Sequence, residues 1–529
     1  MPLPTSWSSV ESISLSELQD LNALLSTNRW GDNLISFSYP ELNSVWSPDF
    51  STGYGSTSSE GEPWNDFSPL SDSDIEKFPL ILKAWSDVAN IEFIEVADST
   101  SSVGDIRIAY SGALNAEPNT IAWAYLPSES EVAGDIWINP YHLAGEEEWE
   151  YGSESFLTIL HEVGHALGLT HPFDGDIRLP TYLDSTSYTL MSYSAAPSIE
   201  LSYFSFNPIT PMVLDIQAIQ YIYGANSSHH SGDTNYIYND SIIYHETVWD
   251  SAGKDSIQYE GLIDTTIDLR AGNSSRIGNE VLVHFFDNRP SYTIDNIWIA
   301  EGVTIENAAS GDGNDILIGN NVSNILDGNT GSDLLIGHGG DDFLFGGAGL
   351  DYAQYNSKRD NYKITVSDSD QSINIIDLIN TDGHDVLTNI ERIQFSDMNL
   401  AFDLDLNESA GKTALLLSAA FGTETISNKQ YTSIGINLFD SGLSLIEVAQ
   451  LAINSGLVSE TPDNEEFVRA VWQNIVNSEI SQSNLSFYSG LINDGTFTQA
   501  SLLALVTETE FVQQQIDLVG LASSGLEFI

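Results

Sequence analysis

The sequence predicts a multidomain protein in which an α/β domain is followed by a parallel β-roll and then by an α-helical domain. Three observations support this organisation: strand-like and helical runs alternate between residues 30 and 226, a strict nine-residue period follows, and helical apolar spacing prevails after residue 409. A chain of 529 residues is also too long for one hydrophobic core. We expect a lead-in or propeptide at 1–25, the α/β domain at 26–226, the β-roll at 227–405 and the helical domain at 406–529.

The charge balance restricts the partners of the chain. Sixteen Lys and Arg stand against 76 Asp and Glu, which gives a formal net charge of −60. Such a chain repels phosphate backbones and anionic lipid headgroups, so we expect cations, and no nucleic acid, as partners. Because cysteine is absent, a divalent metal rather than a disulfide is the expected cross-link of the fold.

The sequence predicts no membrane insertion. It contains no run of 18 apolar residues, and its first 15 residues lack the basic and apolar regions of a usual secretory signal. Taken alone, these features favour a cytoplasmic protein, so an expectation of export must rest on other residues.

A helix is predicted at residues 154–167. Ser153 is a suitable N-cap, Glu154 favours the positive end of the helix dipole, and Phe156, Leu160 and other apolar residues recur at helical spacing.

This helix carries the residues of a predicted zinc site. His161 and His165 lie four positions apart on one face, and Gly168 permits a turn that returns His171 as a third ligand. Three nitrogens leave a position open for water, and Glu162 is placed to act as general base towards the zinc-activated water. The alternative, incidental histidines on a helix, is disfavoured because the added Gly and third His at this spacing arise rarely by chance.

These residues resemble the metzincin metalloproteases, and within them the serralysin family. The downstream Leu190-Met191-Ser192-Tyr193 lies where metzincins have the Met-turn, and the similarity extends over roughly residues 25 to 405. The resemblance implies a zinc metalloendopeptidase in which Tyr193 is an additional zinc ligand that also stabilises the oxyanion. It further implies that the strand at 122–125 is the upper rim of the cleft, along which an extended peptide substrate pairs.

A nonapeptide array fills residues 310–354, which divide into five consecutive repeats. Each repeat has a Gly- and Asp-rich turn and then a strand with one inward apolar residue, the pattern called repeats-in-toxin. Turn carbonyls and carboxylates suit Ca²⁺, whereas a flexible Gly-rich linker would not hold Asp and Leu in fixed phase. The predicted calcium residues are Gly313, Asp315, Gly331, Asp333, Gly340, Asp342, Gly349 and Asp351, and the predicted inward residues are Leu317, Leu326, Leu335, Leu344 and Ala353.

The two sides of the β-roll are expected to bind calcium unequally. Two repeats complete one coil, so carboxylates pair at a spacing of 18. The odd side pairs Asp315, Asp333 and Asp351 and should bind two ions, whereas the even side has uncharged Asn324, and Val322 in place of Gly. We therefore expect a weak or empty site on the even side.

A further calcium site is implied by the resemblance alone, at the junction of the first two domains. Its residues are Gly232, Thr234, Asp250, Gly253 and Asp255. Ordinary turns remain an alternative explanation of this pattern.

The repeats also bear on localisation, because proteins that carry them typically leave Gram-negative cells unfolded and without an N-terminal signal. The resemblance therefore implies a secreted, extracellular monomer with protein substrates, exported by type I secretion machinery. In the family the export address is commonly an acidic residue followed by three apolar ones, whereas this sequence ends Glu527-Phe528-Ile529.

The C-terminal region is predicted to be helical, with segments at 464–476 and 498–507, and it weakly resembles a helical domain appended to many bacterial extracellular proteins. For the whole chain, the alternative function is a calcium-dependent surface or adhesion protein with a vestigial protease domain. Intact zinc-site positions favour the peptidase, and zinc content and casein hydrolysis discriminate between the two.

Overall fold

The computed structural model of the protein describes residues 9–55, 61–113, 120–140 and 149–529, the last range without 198, 200, 288, 368, 370, 380, 460–462 and 516–517. The chain forms two compact units, of residues 1–305 and 306–529. Within the described ranges, no helix combines the length and the apolar character needed to cross a membrane. The division after Ile305 falls inside the segment predicted as the β-roll domain, and the three predicted domain boundaries stay predictions.

The first unit combines helices with short strands. Its helices are α1 (Gln19–Asn22), α2 (Asp72–Val88), α3 (Glu154–Leu167) and α4 (Val213–Tyr223), and its strands are β1 (Val10–Ser12), β2 (Asn28–Trp30), β3 (Leu34–Ser38), β4 (Glu92–Glu95), β5 (Ile106–Tyr110), β6 (Ala122–Ala124), β7 (Ile136–Ile138), β8 (Ser202–Phe204), β9 (Asn235–Asn239), β10 (Glu246–Val248), β11 (Ser256–Glu260), β12 (Thr266–Asp268), β13 (Ser274–Ser275), β14 (Val281–Phe285), β15 (Tyr292–Ile294) and β16 (Ile297–Ile299).

A five-stranded sheet of order β4-β3-β5-β7-β6 supports the two long helices. Its strands are parallel except for β6, which pairs antiparallel with β7 and forms an edge of the sheet. The buried Trp85 of α2 donates its indole N–H to the carbonyl of Leu160, 3.1 Å away, and so joins α2 to α3. The helix predicted at 154–167 is confirmed with those bounds.

The N-terminal lead-in differs from the amphipathic helical segment that its leucine spacing predicts. Among its described residues, which begin at residue 9, only Gln19–Asn22 is helical, and Leu15 and Leu18 are exposed. The chain then leaves the helix, so that Leu24 is buried and its carbonyl accepts a hydrogen bond from the Thr170 N–H at 2.9 Å. This segment therefore packs next to the end of α3, while residues 1–8 lie outside the described ranges.

The second unit begins with a coil of parallel strands and ends in helices. Its strands are β17 (Asn307–Ala309), β18 (Ile316–Ile318), β19 (Ile325–Asp327), β20 (Leu334–Ile336), β21 (Phe343–Phe345), β22 (Tyr352–Gln354), β23 (Tyr362–Val366), β24 (Ile373–Asp377), β25 (His384–Thr388), β26 (Arg392–Gln394), β27 (Asn399–Ala401) and β28 (Leu526–Phe528), and its helices are α5 (Ser409–Phe421), α6 (Lys429–Asp440), α7 (Leu445–Asn454), α8 (Asn464–Val476), α9 (Gln482–Asn493), α10 (Gln499–Thr507), α11 (Glu510–Gln515) and α12 (Leu518–Ser524).

Successive strands of the coil alternate between two sheets. Leu317 of β18 pairs with Leu335 of β20, and Leu326 of β19 pairs with Leu344 of β21, in parallel and 18 residues apart in sequence. The predicted inward residues, including Ala353, are all buried. The coil therefore has an apolar interior made of one side chain per repeat.

The coil continues beyond the last nonapeptide recognised in the sequence. After β22 the hairpin β23–β24 intervenes, and then β25 pairs in parallel with β21 and β26 pairs in parallel with β22. The nine-residue period is visible in the sequence only as far as Gln354, because the hairpin interrupts it.

The helices after residue 409 enclose a separate apolar core. Phe467, Leu485 and Leu503 are buried in it, and the helices predicted at 464–476 and 498–507 are found at Asn464–Val476 and Gln499–Thr507. The last strand, β28, pairs antiparallel with β27 and thus returns the chain to the coil.

Two neighbouring residues of β19 provide a matched test of the coil interior. Leu326 is 0% exposed and Ile325 is 38% exposed. We expect Leu326→Ala to lower the free energy of unfolding by about 2 to 5 kcal/mol because it leaves a cavity. Ile325→Ala should lower it by about 1 kcal/mol or less. Denaturant unfolding followed by circular dichroism checks this, and equal losses would contradict the assignment of the interior.

Candidate metal centre

Local sequence positions α3 and its turn. The Ser153 hydroxyl accepts a hydrogen bond from the Phe156 N–H at 3.1 Å, which caps the helix start. The helix ends at Gly168, whose φ of 110° is left-handed and where a Cβ would lie 2.9 Å from the carbonyl oxygen of Asn28. Glycine at 168 therefore allows the sharp turn that carries His171 back towards the helix.

Three histidine rings converge at the end of this turn. Each ring offers one nitrogen, and these nitrogens of His161, His165 and His171 all lie within 4.8 Å of one another. The Nε2 atoms of His165 and His171 are 3.0 Å apart. His161 and His165 are buried. Such a cluster of imidazole nitrogens fits the ligand set of a zinc ion.

The opposite nitrogen of each ring is held by a nearby oxygen. The Nδ1 of His161 is 2.7 Å from the carbonyl of Leu190, and that of His165 is 2.8 Å from the carbonyl of Leu169. The Nδ1 of His171 is 2.9 Å from a carboxylate oxygen of Asp174. These oxygens keep the proton on Nδ1, so each Nε2 lone pair points to the centre of the cluster.

The environment keeps the two helical imidazoles neutral. Burial, together with the His171 ring, lowers the pKa of His161 to about 4, although its hydrogen bond to the Leu190 carbonyl acts in the opposite direction. The pKa of His165 is also well below its ordinary value, first because of burial and then because of the two neighbouring rings. Neutral rings are the form that ligates a metal.

Glu162 lies beside the cluster with a buried carboxyl group. Burial raises its pKa to about 8, against the opposing hydrogen bond from the backbone N–H of Ala124 in the edge strand β6. Its Oε2 has no hydrogen-bond partner among the described residues. One oxygen is thus positioned by the rim strand while the other is available to a proton.

Tyr193 stands at the open side of the cluster. Its side chain is 65% exposed, and its hydroxyl lies 2.7 Å from Nε2 of His171. The ring of Phe173 stacks on His171, with centroids 5.1 Å apart. The structure therefore brings the predicted residues His161, Glu162, His165, His171 and Tyr193 into one site.

The Met-turn packs directly beneath the helix. Met191 is buried, and a Cβ at Gly164 would lie 2.9 Å from its sulfur. Any larger residue at 164 would collide with this sulfur or with the ring of Trp85, so the helix needs glycine there.

Asp215 is a positioning residue to which the sequence analysis gave no role. Its carboxylate accepts hydrogen bonds from the N–H groups of Leu190 and Met212, at 2.7 and 2.9 Å, and from the Thr189 hydroxyl at 2.6 Å. The carbonyl of Leu190 in turn holds His161. Asp215 therefore supports, through the backbone of Leu190, the ring of His161, a predicted zinc ligand, and its distance in sequence concealed this.

Glu62 holds the rim strand and was likewise missed from the sequence. Its buried carboxylate accepts from the Trp123 indole at 3.0 Å and from the Tyr125 hydroxyl at 2.7 Å. These residues flank Ala124, whose N–H reaches Glu162. No local signal in the sequence connects position 62 with this strand.

The predicted calcium residues of the coil lie in stacked turns. The N–H of Asp315 donates to Asp333 at 2.8 Å, and the N–H of Asp333 donates to Asp351 at 2.9 Å. The second carboxylate oxygens of Asp333 and Asp351 are buried without a hydrogen-bond partner in the described part of the chain. Gly313, Gly331 and Gly349 stack in these turns, and Asn324, Gly340 and Asp342 belong to the other side of the coil.

The residues proposed for the junction site also lie together. The N–H of Thr234 donates to Asp255 at 2.8 Å, and a Cβ at Gly253 would lie 2.9 Å from the carbonyl of Gly232. Asp250 and Asp255 are both buried. This geometry forms a compact pair of loops, and its use for calcium stays a prediction.

Comparison with known proteins adds two family matches. Residues 68–195 match the family described as Matrixin, of the M10 peptidases, and residues 213–434 match the family described as Peptidase M10 serralysin C terminal.

Similar individual proteins include Serralysin of Proteus mirabilis, which is 36% identical over 275 residues, or 46% of this chain and 53% of its own length. Serralysin A of Dickeya chrysanthemi is 34% identical over 273 residues, 48% of this chain and 54% of its own length. Metalloprotease AprA of Pseudomonas entomophila is 34% identical over 324 residues, 55% of this chain and 60% of its own length. The chain thus spans little more than half the length of these relatives.

Replacing Asp215 tests its role beneath the site. Asp215→Ala should lower the free energy of unfolding by about 2 kcal/mol or more, because buried N–H groups lose their acceptor. It should also weaken zinc binding by roughly 10- to 100-fold, as the support of His161 is lost. Asp215→Asn keeps one carbonyl acceptor, so its free energy of unfolding and its zinc affinity should both fall less. Urea unfolding measures the first quantity and chelator competition the second. Wild-type zinc affinity in Asp215→Ala would contradict this role.

Proposed function

We propose that the chain, which belongs to the serralysin family of metzincin peptidases, is a zinc-dependent endopeptidase that hydrolyses peptide bonds of extracellular proteins. The observation that carries the proposal is the convergence of three imidazole nitrogens beside a buried carboxyl group with an unpartnered oxygen. We propose this activity, together with protein substrates, for the protein as a whole.

The proposed zinc ligands are His161, His165 and His171, with Tyr193 as the additional ligand. A zinc ion held in this way supplies Lewis-acid chemistry, which polarises a carbonyl group and makes water nucleophilic near neutral pH. The neighbouring oxygens on Nδ1 orient the rings before any metal arrives, which reduces the cost of assembling the site.

Glu162 is the proposed general base. Its free Oε2 accepts the proton of the attacking water and later delivers that proton to the leaving amine. The Ala124 N–H keeps the other oxygen of this carboxyl group in place.

The rim strand β6 is the proposed docking edge for substrate. As an edge strand it has backbone groups that can pair with an extended peptide, which sets the scissile bond along the cleft. The hydroxyl of Tyr193 then donates a hydrogen bond to the negative charge that develops on the substrate carbonyl oxygen.

Calcium is the proposed structural cofactor of the coil. Buried turn carboxylates repel one another and lose hydration in the folded state, so a cation of high charge stabilises the fold. The same dependence suits a monomeric protein that is exported unfolded by type I secretion machinery and folds outside the cell.

The second candidate function, a calcium-dependent adhesion protein with a vestigial protease domain, is disfavoured by the site itself. A chain without catalysis has no need to keep an oriented triad, a buried Glu162 and the support of Asp215 together. Casein hydrolysis by zinc-loaded protein distinguishes the two.

The role of Glu162 is tested by Glu162→Gln. The amide preserves shape and hydrogen bonding but cannot take the proton, so we expect wild-type zinc content and a loss of turnover of at least about a hundredfold. Zinc is measured by mass spectrometry and turnover with a fluorogenic peptide. More than about a tenth of wild-type turnover would contradict the mechanism.

Tyr193→Phe should have a milder effect. Loss of the hydroxyl is expected to cost about 2 to 4 kcal/mol of transition-state stabilisation, seen in kcat rather than KM. Steady-state kinetics measure this, with the equally exposed Tyr182→Phe as the control. An unchanged kcat would remove Tyr193 from the mechanism.

Calcium dependence of the coil is tested by titrating chelated protein. We expect folding to require calcium at roughly 10⁻⁴ to 10⁻³ M, because the turn carboxylates must be neutralised. Circular dichroism with calcium, and with magnesium as control, follows the transition. A coil that stays folded in excess chelator contradicts this expectation.

A further inference from the structure

A short segment just before β2 pairs with the turn that carries His171. The N–H of Ser26 donates to the carbonyl of Gly168, and the N–H of Thr170 donates to the carbonyl of Leu24, each at 2.9 Å. These reciprocal hydrogen bonds follow the pattern of an antiparallel sheet. The N-terminal part of the chain is thus joined to the residue that directly precedes the third predicted zinc ligand.

Leu169 lies between these two hydrogen bonds and connects the segment with a second ligand. It forms an antiparallel bridge with Leu25. Its own N–H donates to the carbonyl of Gly164 at 2.9 Å, and its carbonyl lies 2.8 Å from Nδ1 of His165. The peptide group that orients the ring of His165 is therefore held in place from the side of the segment.

The last carbonyls of α3 also depend on groups outside the helix. Carbonyls at the end of a helix have no partner within it. The carbonyl of Ala166 accepts from the Trp30 indole at 2.9 Å, and that of Leu167 accepts from the Tyr223 hydroxyl at 2.8 Å. The backbone N–H of Trp30 in turn donates to this hydroxyl at 3.3 Å. Strand β2 and the segment before it therefore fix the end of the helix.

The segment is anchored well enough to act as a support. The side chains of Leu24 and Leu25 are buried. On its N-terminal side, β1 pairs antiparallel with β2, and the hydroxyl of Tyr221 in α4 donates to the carbonyl of Ser14 at 3.1 Å. The segment is thus bound to the same unit along its length.

We propose that the backbone at 24–26 is a positioning element of the zinc site, which holds the turn of His171 and, through Leu169, the ring of His165. Of the two roles expected for residues 1–25, lead-in or propeptide, this assignment favours a lead-in that the active protein keeps. Loss of the pairing frees two of the three predicted ligands and so weakens metal binding. This inference rests on the proposed zinc function.

The experiment deletes single backbone donors in the full chain. Ser26→Pro removes the N–H that reaches Gly168. Glu92→Pro is the control, because it removes the N–H that reaches Asn33, at the start of β4 and at the sheet edge opposite the rim strand. We expect Ser26→Pro to bind zinc about tenfold or more weakly in chelator competition, and Glu92→Pro to bind it with wild-type affinity. Circular dichroism verifies that both variants are folded.

Cobalt substitution separates positioning from a general loss of stability. Visible absorption of bound Co²⁺ reports the geometry of its ligands, so the spectrum should change in Ser26→Pro and stay unchanged in Glu92→Pro. A wild-type spectrum and wild-type zinc affinity in folded Ser26→Pro overturn the proposal, and so does an equal loss of affinity in both variants. A wild-type chain that binds no zinc overturns the proposed function instead.

If Ser26→Pro does not fold, hydrogen exchange of the unmodified chain decides. Coupling between two sites is reciprocal, so zinc loading at constant calcium should slow exchange of the Ser26 and Thr170 amides. The amides of β4 serve as the control and should exchange at the same rate with and without zinc. Exchange at Ser26 that zinc does not change overturns the proposal.

Discussion

Convergence of three imidazole nitrogens is the constraint on which the first unit depends. One ring nitrogen of each histidine lies within 4.8 Å of the other two. Burial lowers the pKa of the two helical histidines, which favours their neutral form, and oxygens of Leu190, Leu169 and Asp174 lie against the opposite ring nitrogens. Each of these oxygens belongs to a different feature: the Met-turn, the end of α3 and the loop after it. The glycine at 164, the left-handed turn at Gly168 and the buried carboxylate of Asp215 all serve to hold those features at the required distance.

In the second unit, the groups that the fold brings together are carboxylates, which carry negative charge. Its turns gather buried carboxylates, and Oδ2 of Asp333 and of Asp351 has no hydrogen-bond partner among the described residues. Under the proposed function, a bound cation stabilises this arrangement. A chain with a net charge of −60 has few basic residues to offer for this purpose. Under the proposed function, dissolved calcium supplies the missing charge, and folding becomes linked to the calcium concentration outside the cell.

Sequence patterns predicted what is local or periodic. The helix at 154–167, the residues that meet at its end and the inward leucines of the coil follow from caps, spacing and a nine-residue period. The roles of Glu62 and Asp215 were not predicted, because both residues contact partners that are distant in sequence and no local pattern marks such a contact. The turn at Asp385 was not recognised as part of the coil for another reason. An inserted hairpin breaks the nine-residue period before this turn, although the turn still stacks on that of Asp342.

We propose that the histidine cluster holds catalytic zinc. X-ray absorption at the zinc edge of the purified, zinc-loaded chain tests this most directly, because it reports the ligand atoms themselves. We expect the zinc to have three imidazole nitrogens as ligands at about 2.0 to 2.1 Å, and we expect His165→Ala to reduce the imidazole contribution. A zinc shell of carboxylate oxygens alone, unchanged in His165→Ala, would contradict it.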